Sequence, residues 1–264
     1  MRMMRLSVLA AAMMLAGIAV NADAEEHPGE DALVGGNTEF AIALHQRLAE
    51  EGENLVASPF SISSALAMTY AGAGGETAAQ MEDVLRFAGE DVHEAFAALV
   101  GELREREADE DYELVIANAL WGQEGYDFAP AFLDVLETQY EAPLREADFA
   151  GDPAAEADRI NAWVEEQTQE RIQDIIPPGA LNPLTRLVLA NAIYFKGAWG
   201  EPFEEEATNS EAFTRADGEE VDVDMMRQTE QFRYAEADGV QVLELPYEGR
   251  DVAMLVVLPE THDG

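Results

Sequence analysis

Cysteine is absent from the 264 residues, lysine occurs once, at Lys196, and there are four histidines. Without cysteine there is neither a disulfide framework nor a lipid-anchored N-terminal Cys, so stability rests on packing. Positive charge is scarce throughout: 15 Lys and Arg face 54 Asp and Glu, for a formal charge of −39 at pH 7. Nucleic acid and anionic membrane both demand basic patches, so such a surface repels them. Scarce lysine under an acidic coat is a composition suited to high salt, where screening relieves self-repulsion. On that expectation the melting temperature rises with added KCl; a flat response would count against it.

Catalytic motifs are missing as well. The histidines are His27, His45, His93 and His262. Two lie near the ends and two at polar positions of helical patterns, where a solvated ring is expected. His93-Glu94 lacks the second histidine of a zinc helix. There is no Gly-x-Ser-x-Gly elbow, no Ser-x-x-Lys and no phosphate loop, and Gly72-Ala73-Gly74-Gly75 follows a helix rather than a strand. Asp222-Val223-Asp224 lacks the spacing of a calcium loop. An enzyme is disfavoured, and no metal or cofactor is expected.

What is present begins with a targeting pattern. Met1 to Arg5 is short and basic, Leu6 to Val20 is apolar, and Ala22-Asp23-Ala24 fits a small-x-small cleavage site. Residues 1–24 therefore read as a signal peptide, too short for a comfortable membrane span. The mature chain is then secreted, extracellular or periplasmic. No later segment is long and apolar enough to span a membrane. Residues 25–36 read as a flexible acidic leader, and the folded domain as 37–264.

Asn37 is placed to cap a first helix ending near Glu51. Asn54 to Ala57 reads as a short strand. Ser58-Pro59 then gives an N-cap with proline at the first helical position, opening a nearly uncharged helix with Ile62, Ala65, Leu66 and Thr69 on one face. Thr77 and Gln80 suit a capping box ahead of Met81, Val84 and Leu85. Asp91 to Arg106 is helical, Tyr112 to Trp121 strand-like, Phe128 to Tyr140 helical and Leu144 to Phe149 extended. Asp152-Pro153 opens an amphipathic helix through Ile172. Strand signals are scattered through Thr208 to Asp224. Phe232–Ala235, Val240–Tyr247 and Val252–Pro259 follow as a β-meander. Helices first and strands later argue for α+β rather than alternating α/β. The chain stops directly after a strand, which leaves a sheet edge open and reads as a truncated product.

One stretch organises the rest. Leu187 to Phe195 is apolar apart from Asn191, as in a strand buried on both faces. A buried amide costs about 1–3 kcal/mol unless it is hydrogen-bonded. Asn191 is either satisfied by backbone or water at a strand edge, or it shares a network with Ser58 and Ser61. The alternative is that the serines only cap their own helix.

At these residues the chain resembles the serpins. Asn54 to Leu66, with Ser58, Pro59 and Ser61, is similar to the start of the family's helix B. Asn161, Trp163, Val164 and Thr168 are similar to helix F, which lies across the main sheet. Leu189, Asn191, Phe195, Gly197, Trp199 and Phe203 are similar to strand 3 of sheet A running into the breach. Thr208, Phe213, Met225-Met226 and Leu258-Pro259 extend the match, from about Phe40 onward. The resemblance implies helices around a large mixed or antiparallel sheet A plus a C-terminal meander belonging to sheets B and C, incomplete at the C-terminus.

It also implies suicide inhibition of a serine or cysteine protease by an otherwise monomeric parent. A reactive loop is cleaved and inserts as a new strand into sheet A, beside strand 3. By the same resemblance Ser58, Pro59, Ser61 and Asn191 belong to the shutter, and Phe195, Gly197, Trp199 and Phe203 to the breach. The reactive loop is not in the chain, so this polypeptide alone is expected not to inhibit. A non-inhibitory serpin-like binding or storage protein is the alternative, and an exported acidic hydrolase a remote one.

Overall fold

Two apolar stretches, Tyr112–Gln123 (β1) and Leu187–Gly197 (β3), pair antiparallel over eleven consecutive positions, from Tyr112↔Gly197 to Gly122↔Leu187. The short β2 (Leu144–Ala147) runs parallel to β1 on its other side, so the sheet is mixed, in the order β2-β1-β3. This computed structural model describes residues 28–49, 54–89, 91–109, 112–215 and 217–260. The signal segment, the first leader residues, His27 and His262 lie outside them. Among the described residues no helix is long and apolar enough to cross a membrane.

Helices cover both faces of the sheet. Successive strand residues point to opposite faces, so Leu120, Leu187 and Leu189 face one way and Trp121, Val188, Ala190 and Ala192 the other. The first face packs on α1 (Pro28–Leu48), α2 (Pro59–Tyr70), α4 (Val92–Asp109) and α5 (Pro130–Tyr140) around Met68, Phe96 and Leu136. The second packs on α6 (Pro153–Gln167) through Ile160 and Val164, both fully buried, with Phe149 beside them. Each such side chain contributes about 1.5–3 kcal/mol by leaving water. Ala117, Ala119, Ala190 and Ala192 on that face are small, which lets α6 lie close.

A separate hairpin pairs β4 (Asn209–Thr214) with β5 (Glu220–Met225). The meander follows as β6 (Arg233–Ala237), β7 (Val240–Pro246) and β8 (Ala253–Pro259), in that order. The α+β expectation and the meander agree with this arrangement.

Several local expectations are corrected. The leader is not loose from residue 28 on: α1 begins at Pro28, and Leu33 is buried among the helices. Asn37 therefore lies inside a helix and caps nothing. Gly35 and Gly36, at the end of the stretch read as leader, lie inside α1, and Gly36 marks a contact. A Cβ there would sit 2.1 Å from the Arg86 carbonyl oxygen, at the end of α3 (Gly75–Leu85), whereas one on Gly35 would meet nothing. Residues 54–57 form no strand, and Val56 is almost fully exposed.

Helix α2 keeps only part of the expected face, with Ile62 and Ala65 packed against the core. It buries Ser61, Ser63, Ser64, Ala67 and Met68 and leaves Leu66 and Thr69 exposed, because small side chains give the closer approach to the sheet. The Thr77–Gln80 capping box does not form. Gly74 is the N-cap, Gln80 Nε2 donates to Glu76 Oε1, and Val84 is exposed.

His93 is not a solvated histidine either. It is half-buried among Tyr70 and Tyr140, and its Nδ1 shares a 2.7 Å hydrogen bond with the Tyr140 hydroxyl. Burial holds the imidazole below its ordinary value and pushes the Tyr140 phenol up. The unfolded chain takes a proton at about pH 6.5, where the folded chain does not. Folding stability is therefore lost as pH falls below that value, and the loss stops growing below the folded pKa. Against a His93→Gln variant, urea unfolding of the parent between about pH 7 and pH 5 should show the extra decline. Equal slopes would contradict it.

Candidate functional site

The amide of Asn191 finds its partner on the neighbouring strand. Asn191 Nδ2 donates to Asn118 Oδ1 at 2.7 Å, and the two residues stand opposite one another in the β1–β3 register. Both strands carry Ala-Asn-Ala, so antiparallel pairing sets Ala117 against Ala192 and Ala119 against Ala190 around the two amides. Asn191 and Asn118 are half-buried and lie on the face that α2 covers. The buried-strand expectation is corrected to this extent: only Ala190 and Ala192 of β3 are fully buried. β3 ends the sheet, and among the described residues no strand pairs with its outer edge.

The serines do something else. Ser58 caps α2, its Oγ accepting from Ser61 N at 3.3 Å, and Pro59 occupies the first turn where its missing N–H costs nothing. Ser61, Ser63 and Ser64 are buried, with hydroxyl oxygens that have no partner among the described residues. The structure thus places α2 and its hydroxyls on the amide side of the sheet, while the amides bond each other. Asn118 is the member that sequence reasoning missed. Its signal was available, a second lone amide between alanines in an apolar strand.

The pair predicts a coupling. Asn191→Ala or Asn118→Ala each leaves a half-buried amide unpaired and should lower stability by about 1–3 kcal/mol. The double variant should cost less than the sum of the two. Additive urea-unfolding values would show that the amides do not act together.

Over the opposite face, α6 is held by its own polar residues. Asp152 Oδ1 accepts from Ala155 N at 3.0 Å as the N-cap. Asn161 makes two bonds to one residue of the following connection, donating to Ile176 O at 3.0 Å and accepting from Ile176 N at 2.8 Å. Thr168, buried, donates to Val164 O at 2.8 Å and accepts from Ile172 N at 3.1 Å. The chain then turns left-handed at Gln169 and Glu170, so α6 stops at Gln167 rather than Ile172. Trp163 meets Trp121 edge-on, with ring centres 6.5 Å apart. Trp163 thus packs over β1 and Val164 points into the core.

Where β3 leaves the sheet, the aromatic residues gather on one the sequence did not single out, Tyr247. Trp199 stacks on it at 4.6 Å and 10°, and Phe195 meets it edge-on at 4.9 Å. Phe203 lies edge-on to Trp199 at 6.2 Å. Gly200 N donates to Pro246 O and Glu248 N to Ala198 O, each at 2.9 Å, stitching the end of β3 to β7. Gly197 is required by this packing, since a Cβ there would lie 2.9 Å from the Tyr247 ring. Burial pushes the Tyr247 phenol up. Phe195, Gly197, Trp199 and Phe203 are therefore gathered around a centre 44 residues further along the chain than Phe203.

Among the described residues no cluster of histidine and acidic side chains is placed to hold a metal. The serpin (serine protease inhibitor) family model matches residues 35–264. The chain is 43% identical to bovine leukocyte elastase inhibitor, over 85% of this chain and 60% of that protein. It is 42% identical to a serpin-like protein of Thermococcus kodakarensis, over 88% and 54%, and 42% identical to sheep antithrombin-III, over 85% and 50%. Among solved structures, emu ovalbumin superposes with a TM-score of 0.83 at 31% identity, covering 87% of this chain and 64% of that one. The chain thus spans about half to two thirds of the length of these relatives.

Proposed function

The chain belongs to the serpin family, and from that premise we propose that it forms the strand-receiving part of an exported inhibitor of serine proteases. The observation that carries this reading is the β1–β3 pair. Its outer edge on β3 is unpaired among the described residues, its middle is fixed by the Asn118–Asn191 amides, and a helix covers each face. A cleaved loop adding beside β3 would satisfy a row of backbone groups at once, which is strand addition. A fold that can gain such a strand is kinetically trapped until the loop is cut. Ser58, Pro59, Ser61 and Asn191 act as the shutter, with Asn118 as the partner amide. Phe195, Gly197, Trp199 and Phe203 form the breach, closed by Tyr247. Export rests on the Met1–Ala24 pattern.

The reactive loop is not within these 264 residues on this reading, so alone they form no covalent adduct with a protease. The test joins them to the part of bovine leukocyte elastase inhibitor that lies beyond the matched region. The chimera is expected to give a denaturant-resistant adduct with elastase, and the 264 residues none. An adduct from the 264 residues alone would overturn the assignment. A folded chimera that is cut without trapping the protease would favour the second reading, a non-inhibitory serpin-like binding or storage protein, which the likeness to emu ovalbumin supports.

A further inference from the structure

Where α6 crosses β1 and β2, a concavity of about 410 Å³ opens to the surface, lined by Trp121, Arg145, Arg159, Ala162, Trp163 and Glu166. That volume lies within the usual range of small-molecule sites. Trp121 and Arg145 are opposite one another in the parallel β1–β2 register, so both project from the same face toward α6. The Arg145 guanidinium lies 5.4 Å from the Trp121 ring centre and 5.5 Å from that of Trp163. Arg159 sits 4.6 Å from Trp121, so two cations share one indole.

The two arginines are not equivalent. Arg159 is committed, paired with the Glu156 carboxylate at 3.3 Å and donating to the Glu146 carbonyl. Arg145 has only its two rings, with neither hydrogen bond nor ion pair to any described residue. In a chain of net charge −39, where Arg86, Arg104, Arg215, Arg227, Arg233 and Arg250 all reach carboxylates, this is an unspent cation. Guanidinium is weakly hydrated and forks onto carboxylates while stacked on aromatic faces.

We propose that this concavity binds a flat organic monoanion of the aromatic-carboxylate class, its carboxylate on Arg145 and its ring against Trp163 and Ala162. One free guanidinium beside apolar walls suits a single negative charge on an apolar body. Glu166 in the lining and the acidic charge of the chain repel a multiply charged ligand. The salt dependence is then inverted from that of an ordinary arginine–anion contact. Screening removes the long-range repulsion of the whole chain, while the short, stacked contact to Arg145 is screened less. The ligand would bridge α6 to the β1–β2 side of the sheet, and so stabilise the fold by mass action.

The probe is naphthoate, read by quenching of tryptophan fluorescence and by the shift in melting temperature. Saturable binding is expected, tighter in molar KCl than at low salt. Arg145→Gln should weaken it by about tenfold or more, the neutral naphthalenemethanol should bind the parent at least about tenfold more weakly, and Glu166→Gln should tighten it. Arg145 is exposed and unpaired, so the variant is expected to keep its circular dichroism. If it does not, the comparison of naphthoate with naphthalenemethanol on the parent decides. No saturable quenching, equal affinity for the two probes, or undiminished binding by a folded Arg145→Gln variant would each overturn the proposal.

Discussion

Tyr247→Ala is expected to lower the free energy of unfolding by about 3–5 kcal/mol, the range for removing a buried aromatic ring. Tyr247 is only 6% exposed, and its ring is the contact that Trp199 and Phe195 share. Its loss opens a cavity at the point where β3 is stitched to β7. Trp199 would lose its stacking partner and become wetter, so its fluorescence should shift to the red in the folded variant. Tyr247→Phe keeps the ring and should cost far less, since no hydrogen bond of the hydroxyl is part of the packing described. A Tyr247→Ala variant unfolding within about 1 kcal/mol of the parent would mean that the aromatic cluster decorates the junction without holding it.

The second large effect reverses a general rule. Glycine within a helix costs roughly 1 kcal/mol relative to alanine, so Gly→Ala in α1 should ordinarily stabilise. Gly35→Ala should do so, because the added methyl meets no atom within 4 Å. Gly36→Ala should instead destabilise by several kcal/mol, since its methyl would stand 2.1 Å from the Arg86 carbonyl oxygen. That oxygen belongs to backbone at the end of α3, where Arg86 is already left-handed with φ of 59°, and it cannot swing aside as a side chain would. α1 and α3 would have to separate. Thermal unfolding of the two variants, side by side, should move in opposite directions; a common sign would remove the close approach from the account.

These two positions show what was legible and what was not. Gly35-Gly36 in an acidic stretch reads as the end of a leader, and only the path of α3 reveals that one glycine is a contact and the other an ordinary helix residue. Tyr247 closes a strand that reads as any β-meander strand, and nothing near it in sequence names Trp199. The elements were better written. Ser58-Pro59 and Asp152-Pro153 each encode a cap and a first turn within two residues, and both open the helices they signal. Unbroken apolar runs mark β1 and β3, and short apolar segments between turn signals mark the meander. What local pattern cannot supply is the register between distant strands. Asn191 is visible as an amide needing a partner, but the bond spans 73 residues, and local pattern does not choose between Asn118 and the serines of α2, which lie further away still in sequence. The buried face of α2 departs from its apolar pattern for a related reason. Hydrophobicity points to Leu66, whereas closeness to the sheet selects serine and alanine.

The proposed function requires that the edge of β3, unpaired among the described residues, takes another strand. In an antiparallel pair alternate residues direct their N–H groups away from the neighbour, so every second amide from Leu187 to Gly197 faces that edge. Amide hydrogen exchange, measured on the elastase-inhibitor chimera before and after its loop is cleaved, reads them directly. The account predicts that this alternate set becomes strongly protected after cleavage, while amides bonded to β1 change little. Unchanged exchange at the outward set, in a chimera whose loop has been cut, would contradict it.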